Sequence, residues 1–219
     1  MQLSDFLIND IKIQSIKEPV KHFRNLFNEL TYSHLPIEKK GKYVGCIFEN
    51  DVRCFDSDKT IEDYEYAVEC FFVTTNDNWL EVIKTFSDNN TNLMPVIDEE
   101  TKEYIGYFEL NDIMTLFNDT PFLKESGAII VVQKSFEEYS LSEIAQIVES
   151  SNSKLIGAFI SKIENDMAEV TLKTNSRGVN EVIQSFRRYG YQIISSHQED
   201  MFTKNLKDRA RYLDKYLNT

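Results

Sequence analysis

The sequence predicts an α+β (α/β) protein with two β-α-β-β-α repeats, a third unit of βαββαβ order and a short C-terminal helix. A phrase of strand, turn, strand and aspartate occurs twice, and its glycines, Gly45 and Gly106, are 61 residues apart. A third stretch shows helical patterns that alternate with apolar strand patterns. A repeat of about 60 residues indicates a duplicated unit, and two packed copies form a cleft that suits a ligand.

The first repeat begins with an extended lead-in, followed by a helix from about Pro19, which suits a first helical turn. Its apolar residues recur at helical spacing: Val20, Phe23, Leu26, Phe27 and Leu30. Apolar runs at 35–37 and 43–48, separated by a turn, predict two strands. Asp51 is then expected to open a second helix.

The second repeat follows the same order. Residues 71–74 predict the lead-in strand, and Trp79, Leu80, Ile83 and Phe86 predict the first helix. The remaining elements are predicted as strands at 94–97 and 104–108 and a helix from Asn111. The acidic segment 56–69 joins the repeats and is expected to be partly helical.

The third unit begins near Ser126. Ser140 and Glu143 form a capping-box pattern before one helix, and a second helix is predicted from Gly178 to a C-cap at Gly190. Strands are predicted at 127–132, 155–163, 168–174 and 191–195, the middle two joined by a hairpin turn at 164–166. This order is that of a split βαβ, ferredoxin-like unit.

These patterns predict four segments: residues 1–60, 61–122, 126–197 and 198–219. The last contains Leu206, Ala210, Leu213 and Leu217 at helical spacing with mixed charge. We expect an amphipathic helix that serves packing or dimerisation. A membrane-surface role is disfavoured because its polar face is not predominantly basic.

The charge distribution excludes several function classes. The net charge is −12, and residues 49–120 hold 18 acidic but only 4 basic side chains. Such a surface repels a phosphate backbone, so we expect no nucleic-acid partner. No stretch reaches the roughly 18 apolar residues of a membrane span, and the N-terminus lacks a signal-peptide pattern. We therefore expect a cytoplasmic protein without a membrane partner.

The sequence predicts no catalytic or metal chemistry. Its three cysteines have no metal or redox spacing, and no phosphate-binding, dinucleotide-binding or metalloprotease motif is present. We therefore expect a non-enzymatic protein without a metal or other cofactor.

The repeated phrase, with an apolar strand around a glycine and an aspartate six residues later, resembles the CBS domain, here as a tandem pair (a Bateman module). The third unit resembles an ACT domain. The resemblance implies a regulatory homodimer, because CBS pairs commonly sense adenosine-containing ligands and ACT domains commonly sense amino acids. The predicted loop 133–139 of the ACT-like unit has no glycine. This favours a dimerisation or coupling module over an amino-acid sensor.

The resemblance also assigns candidate ligand-binding residues. Asp51 and Asp112 match the aspartate that accepts hydrogen bonds from ribose. Phe48 and Glu109 stand where the family has a hydroxyl side chain. A carboxylate at Glu109 near a phosphate costs on the order of a few kcal/mol at an effective dielectric of about 20. We therefore expect an uncharged or cationic adenosine derivative, with S-adenosylmethionine or adenosine ahead of ATP.

The other candidates are Ser15 and Thr74, which fall near a polar contact of the family, and His34, which falls near the adenine contact. The sequence favours a surface or packing role for His34. The two aspartates equally suit helix capping alone. The alternative function is therefore a degenerate scaffold that binds no small molecule and acts through an unknown protein partner.

Overall fold

An antiparallel hairpin lies at the centre of each repeat in the computed structural model, which describes residues 3–196. In the first hairpin His34 pairs with Phe48, and in the second Leu93 pairs with Glu109. The chain forms two units, residues 1–118 and 119–219. The α+β fold class is confirmed.

The first unit contains both repeats. In the first repeat the elements are β1 (Gln14–Ser15), α1 (Val20–Glu29), β2 (His34–Lys39), β3 (Lys42–Phe48) and α2 (Glu49–Cys54). In the second they are α3 (Trp79–Asp88), β4 (Leu93–Ile97), β5 (Tyr104–Glu109) and α4 (Leu110–Asn118). Two 3₁₀ helices complete the unit, at Leu3–Phe6 and Ile61–Ala67.

The two repeats exchange their lead-in segments. Ile8, ahead of the first repeat, exchanges both backbone hydrogen bonds with Tyr107 of the second repeat, at 3.0 and 2.8 Å. Glu69, ahead of the second repeat, does the same with Cys46 of the first repeat, at 2.8 and 2.9 Å. Each hairpin is therefore extended by the chain that leads into the other repeat.

The repeated glycine makes this exchange possible. Gly45 has φ +149° and Gly106 has φ +152°, values that residues with a side chain rarely adopt. A Cβ atom at Gly45 would lie 2.6 Å from the carbonyl oxygen of Glu69. At Gly106 it would meet the carbonyl oxygen of Ile8. Only glycine lets the exchanged segment lie against the strand.

The lead-in positions differ between the repeats. β1 is a two-residue strand parallel to β2, whereas the equivalent pairing in the second repeat is one isolated parallel bridge between Val73 and Val96. The strand predicted at 71–74 is therefore wrong in extent. Pro19 is the N-cap residue of α1 and not its first helical residue. The acidic segment is partly helical, as predicted.

The second unit is a four-stranded antiparallel sheet with strand order β7-β8-β6-β9. Its elements are α5 (Pro121–Lys124), β6 (Ala128–Ser135), α6 (Leu141–Ser150), β7 (Leu155–Glu164), β8 (Met167–Thr174), α7 (Val179–Arg188) and β9 (Gln192–Ser196). Apart from the short α5, this is the predicted βαββαβ order. Asn165 and Asp166 both have positive φ, 50° and 57°, which suits the tight hairpin turn between β7 and β8.

Three details of the second unit differ from the sequence prediction. β6 continues to Ser135, so the first part of the predicted loop 133–139 is strand. The side chain of Ser140 accepts the backbone N–H of Glu143, but the Glu143 carboxylate binds Tyr191 and Lys134. Only half of the capping box therefore forms. The tail predicted as a helix at 198–219 lies outside the described residues.

Candidate functional site

Asp51 and Asp112 occupy equivalent positions, each the third residue of a short helix that follows a hairpin. The helices begin earlier than predicted, at Glu49 and Leu110. The N-cap residue of α2 is Phe48, and no side chain caps that end. The expectation that Asp51 opens its helix as a cap is therefore wrong.

Both aspartates are half-buried. Within residues 3–196 neither carboxylate makes a hydrogen bond or an ion pair. A carboxylate in the first helical turn interacts favourably with the helix dipole, by about 0.3–1 kcal/mol. Beyond that, the two groups keep their acceptor capacity for a donor from outside the described protein.

Arg24 holds the end of α2, the helix that carries Asp51. Its guanidinium donates to the backbone carbonyls of Val52, Arg53 and Phe55 at 3.1, 3.0 and 2.5 Å, and to the Ser57 hydroxyl at 2.6 Å. A cation at a helix C-terminus satisfies its free carbonyls and complements its dipole. These bonds hold α2 in place.

Phe48 and His34 pack against each other. Their rings stack with centroids 4.8 Å apart, and Phe71 meets the imidazole edge-on at 5.5 Å. His34 is only 3% exposed, and its Nδ1 lies 2.8 Å from the Ser33 hydroxyl. Burial lowers the pKa of His34 from 6.5 to about 4. His34 is a neutral packing histidine.

Glu109, at the position equivalent to Phe48, belongs to a chain of hydrogen bonds. Its carboxylate accepts from the Tyr32 hydroxyl, which lies 2.9 Å from the Tyr107 hydroxyl. Tyr107 in turn donates to Asp10 at 2.7 Å. Burial, followed by these hydrogen bonds, raises the pKa of Tyr107. The two equivalent positions therefore differ, since one is apolar and the other carries a carboxylate.

Ser15 and Thr74 occupy equivalent lead-in positions and are half-buried. The Ser15 hydroxyl accepts a long bond, 3.4 Å, from the backbone N–H of Lys17. The backbone N–H of Thr74 donates to Asp77 at 2.7 Å. In neither residue do these bonds use the hydroxyl group as a donor.

Ser33 and Asn92 connect the two repeats, a link that the sequence analysis missed. They are equivalent residues, each just ahead of a hairpin. The backbone N–H and hydroxyl of Ser33 donate to the Asn92 side-chain oxygen at 2.8 and 3.1 Å, and the Asn92 amide nitrogen donates to Thr31 at 2.9 Å. Their equivalent positions in the repeat could have drawn attention to these two residues. That both are polar does not by itself predict that they contact each other.

The first unit contains two recesses of note. One of about 220 Å³ lies beside α1 and α2, between Arg24 and Arg53, and one of about 520 Å³ lies between Leu3 and the segment 75–79. Neither Asp51 nor Asp112 lines either recess.

In the second unit a compact polar cluster joins the end of β6, the first turn of α6 and the residue before β9. The Lys134 ammonium lies 3.1 Å from Glu143 and 4.6 Å from the centre of the Tyr191 ring. The Tyr191 hydroxyl donates to Glu143 at 2.8 Å. The bond from Tyr191 and then the one from Lys134 lower the pKa of Glu143. The charges and hydrogen-bonding groups of these three side chains therefore have partners within the cluster, which lies next to the predicted loop.

Two classes of site are not found in the described part of the chain. No group of three or more histidine, cysteine or carboxylate side chains is arranged to hold a metal ion there. Over the same residues, no helix has the length and apolar character needed to cross a membrane. Cys46, Cys54 and Cys70 are free thiols.

Comparison with known proteins gives a family match for the second repeat. Residues 62–119 match the family model of the CBS domain. A comparison with curated protein sequences gives no match. The fold is similar to a CBS domain pair/ACT domain protein from Thermotoga maritima, with 19% identity, a TM-score of 0.48 and coverage of 53% of this chain and 96% of that one.

Two further solved structures show a similar likeness. One is the cystathionine beta-synthase pair domain of a putative Mg²⁺ transporter from Shewanella oneidensis MR-1, with 18% identity, a TM-score of 0.47 and coverage of 54% of this chain and 70% of that one. The other is the CBS domain pair of protein MJ0100 in complex with 5′-methylthioadenosine and S-adenosyl-L-methionine, with 22% identity, a TM-score of 0.44 and coverage of 54% and 96%. The family match covers the second repeat. The first repeat has an equivalent antiparallel hairpin, in which His34 pairs with Phe48 as Leu93 pairs with Glu109 in the second.

Proposed function

We propose that this protein is a regulatory protein whose CBS module binds an adenosine-containing ligand in the cleft between its repeats. The observation that carries this proposal is the pair Asp51 and Asp112. Both are half-buried at equivalent positions, and neither has a side-chain partner within residues 3–196. An ionised carboxylate is acceptor-only, and the two hydroxyls of a ribose are suitable donors.

Helix capping alone does not account for these aspartates. A capping side chain stands at the N-cap, which is Phe48, whereas Asp51 lies three residues further along, at N3. A role in capping would use the carboxylate oxygens, yet they accept no bond from any residue in the described range. We infer that these oxygens accept the ribose hydroxyls, and that the hydroxyls of Ser15 and Thr74 add polar contacts.

The residues beside the aspartates indicate the charge of the ligand. Phe48 offers no hydrogen bond, and Glu109 is an anion. A polyphosphate next to Glu109 would be repelled by on the order of a few kcal/mol at an effective dielectric of about 20. We propose adenosine or S-adenosylmethionine, and not ATP, as the preferred type of ligand.

A second candidate function is a scaffold that binds no small molecule. The buried stack of His34 on Phe48 and Phe71 favours it, because His34 falls near the position at which the resemblance places the adenine contact, and its ring is already packed. We infer that an adenine bound at this position displaces the His34 ring. In the scaffold alternative the cleft stays filled and the module contacts a protein partner.

We further propose that the protein works in the cytoplasm as a homodimer and that the ACT-like unit couples the CBS module to a partner surface. The Lys134, Glu143 and Tyr191 cluster supports coupling over amino-acid sensing, because its charges already satisfy one another. The predicted segments 1–60, 61–122, 126–197 and 198–219 remain part of this proposal.

The test is thermal unfolding of the protein with adenosine, AMP, ADP, ATP, S-adenosylmethionine or single amino acids. A ligand at one hundred times its Kd stabilises the folded state by about 2.7 kcal/mol. We expect a shift with adenosine or S-adenosylmethionine that is weakened in Asp51→Ala and in Asp112→Ala. Glu81→Ala is the matched control, because Glu81 is an exposed acidic residue at the third position of α3. It should leave the shift unchanged.

The alternatives give different results in the same experiment. A shift with ATP that exceeds the shift with adenosine would contradict the inferred ligand charge. A shift with an amino acid alone would assign sensing to the second unit. If no compound produces a shift, the scaffold is favoured and the ligand proposal fails.

A further inference from the structure

The segment Tyr32-Ser33-His34 touches equivalent positions of both repeats through neighbouring side chains. The Tyr32 hydroxyl donates to Glu109 in the second repeat, and the His34 ring stacks on Phe48 in the first. Phe48 and Glu109 are 61 residues apart and stand at the same position of their repeats. One short segment therefore contacts the corresponding residue of each proposed cleft.

Ser33, the middle residue of the segment, is connected by hydrogen bonds to the two helices that carry Asp51 and Asp112. The carbonyl of Ser33 accepts the N–H of Glu49, the first residue of α2, at 2.9 Å. Its equivalent, Asn92, accepts the N–H of Leu110, the first residue of α4, at 3.2 Å. Since Ser33 and Asn92 bind each other, a continuous path of hydrogen bonds connects the first turns of α2 and α4.

We propose that this link couples the two clefts, so that occupation of one raises the ligand affinity of the other. The proposal rests on the proposed function in assigning ligands to the clefts. A ligand that enters the first cleft moves His34 away from Phe48. Ser33 lies between His34 and Tyr32 and is held by Asn92 of the opposite repeat, so the segment turns about Ser33. The movement of His34 therefore shifts Tyr32 and weakens its hydrogen bond to Glu109. The second ligand then finds those contacts already broken, which is positive cooperativity.

Asn92 is the positioning residue of the link between the repeats. Its side chain accepts from Ser33 and donates to Thr31, so it holds the segment from the opposite repeat. Asn92→Ala removes these bonds and leaves Asp51, Asp112, Phe48 and Glu109 in place. Asn89→Ala is the matched control, because among the described residues the Asn89 side-chain amide donates only within its own helix end, to the Thr85 carbonyl at 2.8 Å.

The first experiment needs no ligand. Tyr32→Phe removes the bond to Glu109, and Phe48→Leu removes the stack on His34. Within residues 3–196 no hydrogen bond or ring contact joins Tyr32 to Phe48. Two uncoupled substitutions should therefore act additively on unfolding. If the link couples the two contacts, the double variant should deviate from additivity by about threefold or more in the unfolding equilibrium constant. This deviation should disappear when the cycle is repeated in the Asn92→Ala background. It should persist in the Asn89→Ala background.

The second experiment titrates the protein with S-adenosylmethionine by calorimetry. Wild type should bind two molecules, and its second binding step should be about fivefold or more tighter than that of an independent site. Asn92→Ala should show two independent sites. Asp112→Ala should bind one molecule with the weaker affinity of the first step.

The outcomes separate the two proposals. An additive double-mutant cycle overturns the coupling, whatever the titration gives. A deviation from additivity that persists in Asn92→Ala overturns the role of the Ser33 and Asn92 link. If the cycle is coupled through Asn92 but no adenosine compound binds, the ligand assignment fails while the connection between the repeats stands.

Discussion

Tyr43 and Tyr104, which are 61 residues apart in sequence, stack on each other with ring centroids 6.5 Å apart and planes inclined by 17°. Each hydroxyl donates to a lead-in segment, Tyr43 to the carbonyl of Phe71 at 2.5 Å and Tyr104 to that of Ile11 at 3.3 Å. The pair makes the same type of interaction in both repeats. The first tyrosine of each hairpin thus anchors an exchanged segment.

Tyr43→Phe should lower the free energy of unfolding by about 1 kcal/mol, because it removes a hydrogen bond but keeps the ring stack. Tyr104→Phe should cost less, since its bond is longer. Chemical denaturation measures both. Tyr66→Phe is the control, because Tyr66 is 82% exposed, and it should have no effect. A loss in Tyr43→Phe no greater than in the control would mean that the hydroxyl does not anchor the segment.

The repeated glycines should tolerate no side chain. Gly45→Ala and Gly106→Ala each place a Cβ atom against a backbone carbonyl in a strained conformation. Steric clash in a packed interior should cost about 3 kcal/mol or more. Gly41→Ala is the matched control: its φ is also positive, +80°, but nothing lies within 4 Å of the added Cβ.

In Gly41→Ala only backbone strain remains, and it should lower the free energy of unfolding by about 1 kcal/mol. Urea denaturation of the three variants measures the difference. Equal losses in all three would show that backbone conformation, and not the approach of Glu69 and Ile8, selects glycine at these positions.

The stability of the protein should fall as pH drops from about 6.5 towards 4, partly because of His34. Burial lowers the folded-state pKa of His34 to about 4, so the unfolded chain binds its proton first. The stabilising contribution is complete above the unfolded pKa of 6.5 and declines as pH falls to the folded pKa. The two values correspond to a change of about 3 kcal/mol.

His34→Gln should remove this part of the pH dependence, measured as unfolding free energy at several pH values. His22→Gln, which replaces a less buried histidine of the same unit, is the control and should retain it. If both variants keep the wild-type profile, another group is responsible for the loss at acidic pH.

Much of the fold could be predicted from local pattern. The helices around Phe23 and Phe86 follow from apolar side chains at helical spacing, because one helix face must be buried. The hairpins follow from short apolar runs on either side of polar turns. The positions of Asp51 and Asp112 could be read from the repeat itself, although their helices begin at Glu49 and Leu110.

By itself the sequence determined the duplication, the order of the elements and the equivalence of the two aspartates, since these depend on residues that are close along the chain. Only the tertiary structure decided that Ile8 pairs with Tyr107 and Glu69 with Cys46. It alone revealed why Gly45 must be glycine and that Ser33 meets Asn92. These contacts join residues far apart in the chain, and their geometry depends on how whole repeats pack, which no local pattern of residue types encodes.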